Sequence, residues 1–504
     1  MSSTVTQRKP LLSRVPADFV RAVLKGHSGL GLAFAAAIYL VCLTGSIAVF
    51  AHEFQRWELA GTPRLETLSP NAVQRALAGA IERVGGGVEH AYITMPSPEL
   101  PQALVAVEKD HVTRTFVADA NGVIVASGDT PWTEFITRLH INLHLPQSWG
   151  VFIVGLTGVA LLSSLISGIL AHPRIFRDAF HVRMGGSRRL QEADLHNRLG
   201  VWAMPFHVIV SLTGALLGLT TIIVGVLGIA LFQGDVGKVY ALFIPQTPKD
   251  DPRPAPLLDL RPFFAQVEAR SGGARIDMVM LEHPSEMGGA ALFYTEKDDG
   301  RLHNSDSYAF NRAGSLYHTY KADDAVTGQK VLNSLGKLHF GWFGGGIVKI
   351  LYGLLGLALT YLAAGGVLIW LARRRDKRNP APGFERLWAA TIWGQPVAIG
   401  LAALTVVLAG AAASKMVLVT IWGIATLVSL ALAIRTTPDM IARALKCVAG
   451  LALILTALAH PLLRPSGDPV AWAVDATLLV CGGLLLRLAK RQQSSSAYED
   501  AVLT

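Results

Sequence analysis

Four histidines lie beside long apolar segments, where an imidazole nitrogen could bind a metal ion. His27-Ser28-Gly29-Leu30-Gly31 and His196-Asn197-Arg198-Leu199-Gly200 begin two of these segments, and Leu139-His140 and Leu338-His339 precede two others. Imidazole is a common axial ligand of haem iron, and helix bundles build such sites from side chains on facing helices. The four residues therefore predict two haem sites, His27 with His196 at one end of a bundle and His140 with His339 at the other.

These histidines occupy matched positions in an internal repeat. His27 lies sixteen positions before Leu43-Thr44-Gly45, and His196 lies sixteen positions before Leu212-Thr213-Gly214. Three glycines follow each later histidine, at offsets that agree if one residue is inserted in the connecting turn: Gly155, Gly158 and Gly168, then Gly353, Gly356 and Gly366. A lone interfacial histidine is usually solvated or hydrogen-bonded, but four at repeat-matched positions favour ligation. The repeated glycines either let helices pack closely or leave room for a flat macrocycle.

The composition indicates which elements position these residues. Of 504 residues, 51% are hydrophobic and 16% are charged, and the mean hydropathy is +0.41. Soluble proteins carry roughly a quarter of their residues as charged side chains, so a soluble enzyme, a disordered chain and a disulfide scaffold are excluded. Three cysteines within apolar segments give no disulfide framework or thiolate metal site. The net charge of +9 is explained by cytoplasmic loops of a membrane protein and requires no nucleic acid.

Apolar segments long enough to cross a bilayer as helices predict eight spans. Arg and Lys clusters before the first span, after the second, after the fourth and after the eighth place both termini in the cytoplasm. The predicted organisation is a cytoplasmic segment 1–28, spans 29–51, 149–171, 200–232 and 345–371, outer domains 52–148 and 233–344, cytoplasmic loops 172–199 and 372–387, four additional spans within 388–488 (388–410, 415–434, 446–462 and 470–488) and a cytoplasmic tail 489–504.

Each outer segment predicts a small module of one helix and an antiparallel sheet. In the first, Ser69-Pro70 predicts a helix start, and Asn121-Gly122 predicts a hairpin turn. In the second, a helix over Arg261–Arg270 ends at Gly272-Gly273. The predicted strands are His90–Met95, Ala103–Glu108, Thr113–Ala118, Val123–Ala126, Ile276–Leu281, Ala290–Thr295, Ser307–Asn311 and Ser315–His318.

Three other histidines are second-rank ligand candidates. His207 lies eleven positions after His196, on the same helix face, and could replace it. His144 lies one turn after His140 and could be the outer ligand instead, and His172 ends the second span. No Cys-x-x-Cys-His motif is present, so the two haems would be b-type. No flavin or nucleotide motif is present either, and a quinol or a separate reductase would be the electron donor.

The His-x-x-Leu-Gly starts at His27 and His196, Leu139-His140, Leu338-His339-Phe340-Gly341 and the two outer modules together resemble the PepSY-associated transmembrane family, which includes inner-membrane ferric-siderophore reductases. The resemblance covers about residues 20–375. It implies an α-helical integral membrane protein of the bacterial inner membrane, with a haem-binding four-helix core and two periplasmic α+β PepSY-like domains. It also implies two haem b and reduction of a periplasmic ferric siderophore or other ferric chelate, and no catalytic residue is predicted.

Two other functions fit parts of the pattern. A membrane-anchored PepSY regulatory or binding protein without redox activity would use the outer modules but would not need histidines at both faces. A transporter subunit would suit tandem repeats and eight spans, but repeat transporters carry charged or broken helices near the membrane midplane. The last four spans show no copy of the repeat, and packing, partner docking or a quinol pocket remain open for them. His460 is the one histidine among them, so we expect no third haem there.

Overall fold

The computed structural model describes residues 16–171, 188–242 and 251–503, so the candidate ligand His172 lies outside the described residues. The helices are α1 (Ala17–Ala33), α2 (Ala35–Ala48), α3 (Ala51–Glu58), α4 (Pro70–Arg83), α5 (Pro131–Asn142), α6 (Gln147–Ala171), α7 (Arg188–Trp202), α8 (Met204–Gly218), α9 (Thr220–Phe232), α10 (Val236–Tyr240), α11 (Arg261–Ser271), α12 (Thr327–Phe340), α13 (Gly345–Asp376), α14 (Pro382–Ala409), α15 (Lys415–Ile434), α16 (Pro438–Leu463) and α17 (Pro469–Leu503). The strands are β1 (His90–Thr94), β2 (Ala103–Lys109), β3 (Val112–Ala118), β4 (Ile124–Ser127), β5 (Arg275–Glu282), β6 (Ala290–Glu296), β7 (Ser305–Asn311) and β8 (Leu316–Tyr320).

The helices make this a multi-pass membrane protein that also carries an antiparallel sheet. Within the described ranges, six helices are long and apolar enough to cross a membrane, namely α6, α13, α14, α15, α16 and the first part of α17. Two bent pairs, α1 with α2 and α7 with α8, bring the number to eight if each pair forms one span. The four additional C-terminal spans predicted within 388–488 correspond to α14 through α17.

Two predicted spans, 29–51 and 200–232, are not continuous helices. The chain bends by 67° between α1 and α2 and by 71° between α7 and α8, and it breaks again at Leu219 before α9. Pro205 explains the second bend because its ring blocks the preceding turn and removes a backbone donor, whereas nothing in the sequence explains the bend at Phe34. His27 and His196 consequently lie on the bent-off helices α1 and α7.

Helices of the two repeat copies interleave in the membrane core. In the first copy α1 packs on α6, and in the second copy α7 packs on α13. The contacts then cross between copies, because α2 packs along α13 and α8 packs along α6. The two copies of the repeat therefore form one helix bundle with contacts within and between copies.

The two outer modules join in one eight-stranded antiparallel sheet with the strand order β4-β3-β2-β1-β5-β6-β7-β8. The eight predicted strands and both module helices, α4 and α11, are present, and Ser69 caps α4 by accepting a hydrogen bond from the Ala72 N–H. Alternate apolar residues of the strands pack with α4 and α11 in one core that includes Ile93, Val279 and Phe293. The sequence did not indicate the pairing of β1 with β5, in which Ala91 faces Leu281. We call this unit the sheet domain.

Candidate functional site

His140 and His339 lie at the ends of two short helices, each of which precedes a span. His140 is on α5, which ends at Leu143 in the left-handed conformation with φ 55°. His339 is on α12, which ends at Gly341 with φ 71°. A left-handed residue stops a helix and redirects the chain, so each histidine sits directly before the turn that leads into α6 or α13. The two helices come from different copies of the repeat.

The two imidazole rings face each other. Their centroids are 6.0 Å apart and their planes differ by 20°. The Nδ1 of His140 lies 2.9 Å from the carbonyl oxygen of Val41, to which it donates a hydrogen bond. The Nδ1 of His339 lies 3.1 Å from the Thr213 hydroxyl, whose own proton is directed to the Ile209 carbonyl at 2.6 Å.

These contacts set the tautomer of both rings. A carbonyl oxygen can only accept, and the Thr213 hydroxyl already donates elsewhere, so each Nδ1 carries the proton. Among the described residues neither Nε2 has a hydrogen-bond partner. Each Nε2 therefore keeps a free lone pair, and a protonated Nδ1 bonded to an acceptor is the usual outer-shell arrangement of a metal-bound histidine.

Two of the repeated glycines lie against these rings. A Cβ at Gly45 would be 2.7 Å from Cε1 of His140, and a Cβ at Gly214 would be 2.8 Å from Cε1 of His339. Carbon atoms at van der Waals contact are about 3.5–4.0 Å apart, so any larger residue would displace the imidazole. At these two positions the Leu-Thr-Gly motif makes room for the histidine ring.

His27 and His196 line one cavity of about 260 Å³ at the other end of the core. The Nδ1 of His27 lies 3.0 Å from the Ser164 carbonyl and 3.2 Å from the Ser167 hydroxyl, which leaves its Nε2 available. Two more of the repeated glycines line the same cavity, and a Cβ at Gly168 or Gly366 would lie 3.4 or 3.6 Å from Cε1 of His27 or His196. Arg373 also lines the cavity.

The donor set fits a haem held by two imidazoles at each end. Two imidazoles that bind one metal ion through nitrogen atoms at about 2 Å have ring centres roughly 6 Å apart, which matches the His140–His339 separation. At the other end, His27 and His196 line one cavity, and the Ser164 carbonyl holds the Nδ1 of His27. The residues present are therefore compatible with b-type haem at both positions.

The second-rank histidines lie elsewhere. His144 is in the turn after α5, where its ring stacks on Phe135 and its Nε2 lies 3.0 Å from the Phe135 carbonyl, so it does not face His339. His207 is fully buried on α8, and neither of its ring nitrogens has a hydrogen-bond partner within the described part of the chain. It is not among the residues that line the cavity of His27 and His196.

A series of aromatic contacts connects His339, one of the facing histidines, to His52 on α3, which lies near the sheet domain. His339 contacts Phe340, Phe340 contacts Trp342, and Trp342 stacks on His52 with centroids 4.6 Å apart. Burial lowers the pKa of His52, as does the nearby Lys349 ammonium, which pairs with Glu53 at 2.8 Å. The carboxylates of Glu99 and of Asp277 on β5 act in the opposite direction.

Sequence reasoning missed the residues that hold the histidines. Thr213 belongs to the repeated Leu-Thr-Gly motif, so the motif itself was the available signal. Ser164 and Ser167 carried no signal, because serine in an apolar helix most often bonds its own backbone. Glu58 is buried, and both of its oxygens accept hydrogen bonds from backbone N–H groups at the start of α5, those of Trp132 and Thr133 at 2.8 Å. Nothing in the sequence connects Glu58 with α5.

Two comparisons with known proteins extend these observations. Residues 24–373 match the family described as PepSY-associated TM region. The chain is also 30% identical, over 395 residues, to an uncharacterized protein of Pseudomonas aeruginosa, PA4219. The aligned part covers 73% of this chain and 96% of that protein. All four histidines of the two pairs lie within the family match, and α14 to α17 lie beyond its end.

Proposed function

The chain belongs to the PepSY-associated TM family, and from that premise we propose that it is a transmembrane electron-transfer protein with two b-type haems that reduces a ferric siderophore in the periplasm. The observation that carries the proposal is the facing of His140 and His339 with both Nδ1 atoms engaged and both Nε2 atoms free. Haem with two imidazole ligands supplies one-electron transfer rather than oxygen binding.

The protein's own residues would keep the ligands in place before and after an electron arrives. The Val41 carbonyl and the Thr213 hydroxyl hold the two outer rings, and the Ser164 carbonyl holds His27. Gly45 and Gly214 lie against the two outer rings and leave them the space that a side chain at either position would fill. Ligands fixed in one orientation need little rearrangement when the charge of a site changes, and this preorganisation favours fast transfer.

The proposed orientation places the inner pair near the cytoplasm. Arg373 lines the cavity of His27 and His196 and begins the cluster Arg373-Arg374-Arg375 at the end of α13. Such clusters mark the cytoplasmic side of inner-membrane proteins. A quinol or a separate reductase would donate electrons at this side, and the sheet domain would then lie in the periplasm, with both termini in the cytoplasm.

A ferric siderophore fits the outer side. Trp342 and Phe343 are both more than a third exposed, next to the His339–Phe340 contact, and offer a surface for a chelate. One electron converts Fe(III) to Fe(II), a softer ion that hard oxygen ligands hold less tightly, so reduction itself promotes release. Trp132 is almost fully buried against the C-terminal helices and does not belong to this surface.

A spectrum and a mixing experiment test the proposal. Protein purified after expression with ample haem should be red and, when reduced, should show the visible bands of low-spin b-type haem. Addition of a ferric siderophore to the reduced protein under anaerobic conditions should reoxidise the haem and yield Fe(II), detected with a ferrous-specific chelator. The double variant His140→Ala/His339→Ala serves as the control and should not reoxidise. A colourless wild-type protein would contradict the proposal and favour an anchored regulatory protein.

A further inference from the structure

The C-terminal helices contact α3 through a ring of hydrogen bonds among three side chains and one backbone carbonyl. The Trp57 indole N–H donates to one carboxylate oxygen of Asp475 on α17 at 2.8 Å. The other oxygen of Asp475 lies 2.9 Å from Nδ1 of His460 on α16. The Nε2 of His460 in turn lies 2.9 Å from the backbone oxygen of Trp57, and the two rings stack with centroids 4.4 Å apart. All three side chains are at least nine-tenths buried.

This network is an anchor and not a metal site. The Trp57 carbonyl can only accept, so Nε2 of His460 is the donor, while Nδ1 of His460 pairs with Asp475. Both ring nitrogens of His460 are thereby engaged. A second contact lies beside it, where Arg56 binds both carboxylate oxygens of Asp468 at 2.8 and 2.7 Å. Fork-shaped Arg–carboxylate pairs of this kind fix orientation as well as distance.

The anchor continues into the helix that carries His140. Glu58 follows Trp57 in the chain and accepts the hydrogen bonds at the N-terminus of α5, where a carboxylate also opposes the helix dipole favourably. The buried face of α5, with Phe135, Ile136 and Leu139, packs against α14 and Leu418 of α15. The C-terminal helices therefore hold α5 at its start and along its side, up to the residue before His140.

The second repeat copy lacks this support, although it carries the matching ligand. Val226 stands where Trp57 stands, at the offset that separates His27 from His196, and it is 59% exposed whereas Trp57 is 1% exposed. Val331 on α12 stands where Trp132 stands on α5, at the offset that separates His140 from His339. It is 58% exposed, against 4% for Trp132. Helix α12 packs on α8, and among the described residues it makes no comparable contact with α14 to α17.

We propose that the four C-terminal helices position His140, and that Trp57, His460 and Asp475 are the positioning residues through which they act. Within the described part of the chain no hydrogen bond or ring contact joins them to His140, and they act through Glu58 and α5. The part that concerns haem rests on the proposed function, whereas the part that concerns α5 does not. The family match ends before these helices.

Hydrogen exchange of the full-length protein tests the positioning directly. Asp475→Leu removes the acceptor of Trp57 and the partner of His460, and buried donors left unpaired are costly. The amides of α5 should then exchange roughly five- to thirtyfold faster, while those of α12 remain unchanged. Asp475→Asn keeps an acceptor for the indole and lets His460 accept at Nδ1, so it should behave as wild type. Thr456→Val, one turn before His460 and bonded only within its own helix, should also have no effect.

Haem retention gives the second readout. In Asp475→Leu one of the two haems should pass to a haem scavenger roughly tenfold faster, as expected when an outer-shell support is lost. The low-spin paramagnetic resonance signal of that haem should also shift. Both properties should return to wild-type values in Asp475→Asn. If Asp475→Leu does not fold, Trp57→Phe removes the indole donor together with part of the buried ring, and it should give the same pattern. Unchanged exchange in α5, or equal acceleration in α5 and α12, overturns the positioning role. Wild-type protein without haem overturns the proposed function instead, and the exchange comparison still decides the role of the C-terminal helices.

Discussion

The rings of His140 and His339 face each other 6.0 Å apart, although they belong to different copies of the repeat. His140 is bonded to the Val41 carbonyl of the first copy, and His339 is bonded to Thr213 of the second. Each copy thus contributes one ring and one holding group from its own first span. Neither copy could form the outer site alone, because α5 and α2 belong to the first copy and α12 and α8 belong to the second.

Replacement of either outer histidine should remove one haem. In His140→Ala or His339→Ala a single imidazole remains, and the haem content should fall to about half of wild type because two similar sites are present. The pyridine haemochrome assay on purified protein measures this. His144→Ala is the matched control, since His144 is a neighbouring histidine bonded to the Phe135 carbonyl, and it should retain both haems. Loss of haem in His144→Ala together with retention in His140→Ala would reverse the ligand assignment.

Gly45→Ala and Gly214→Ala should weaken haem binding at the outer site although both histidine ligands are retained. A Cβ 2.7 or 2.8 Å from a ring carbon must push the imidazole away, and overpacking of this kind typically costs about 1–3 kcal/mol. Titration of haem into the purified protein should show weaker binding of one equivalent. Gly225→Ala introduces the same methyl group into α9, where no atom lies within 4 Å of the new Cβ, and it should bind haem as wild type does.

The inner site should depend on His27 and His196 and not on His207. Either His27→Ala or His196→Ala should abolish one haem and leave the outer one, as judged by haem content and by the ferric-chelate reaction of the remaining reduced haem. His207→Leu should keep both haems, because His207 is not among the residues that line the inner cavity. Loss of one haem from His207→Leu and not from His196→Ala would instead assign the ligand to His207.

Glu58 should make the stability of the protein depend on pH. Burial raises the pKa of Glu58 to about 7 despite the hydrogen bonds from Thr133 and Trp132, whereas an unfolded glutamate titrates near about 4.3. The folded chain therefore binds more protons between these values, and the stability contribution of Glu58 falls as the pH rises from about 4 to 7, with a slope of up to about 1.4 kcal/mol per pH unit.

The variant Glu58→Gln lacks this titration. The difference in free energy of unfolding between wild type and Glu58→Gln should fall as the pH rises through this window and become constant above about 7. Denaturant unfolding in detergent at several pH values measures it. A difference that stays flat between pH 5 and 7 would show that the carboxyl group is already ionised in the folded protein.

The sequence by itself determined the class of protein, the repeat and the residues to examine. Apolar segments of bilayer length predicted the spans, alternating residues predicted all eight strands, and both signals are local in the chain. Matched spacing then selected His27, His196, His140 and His339 from fifteen histidines. A repeat is visible in sequence because each copy solves the same local packing problem with the same residues at the same offsets.

Only the tertiary structure decided how these residues meet. The bend at Phe34, the pairing of β1 with β5 and the contact of Gly45 with His140 all depend on residues that are distant in the chain or on backbone geometry without a sequence signature. The sequence left packing, partner docking and a quinol pocket open for the C-terminal helices, because it does not show the buried contact of Asp475 and His460 with Trp57. Such contacts have no period or motif, since they are set by which surfaces the folded chain brings together.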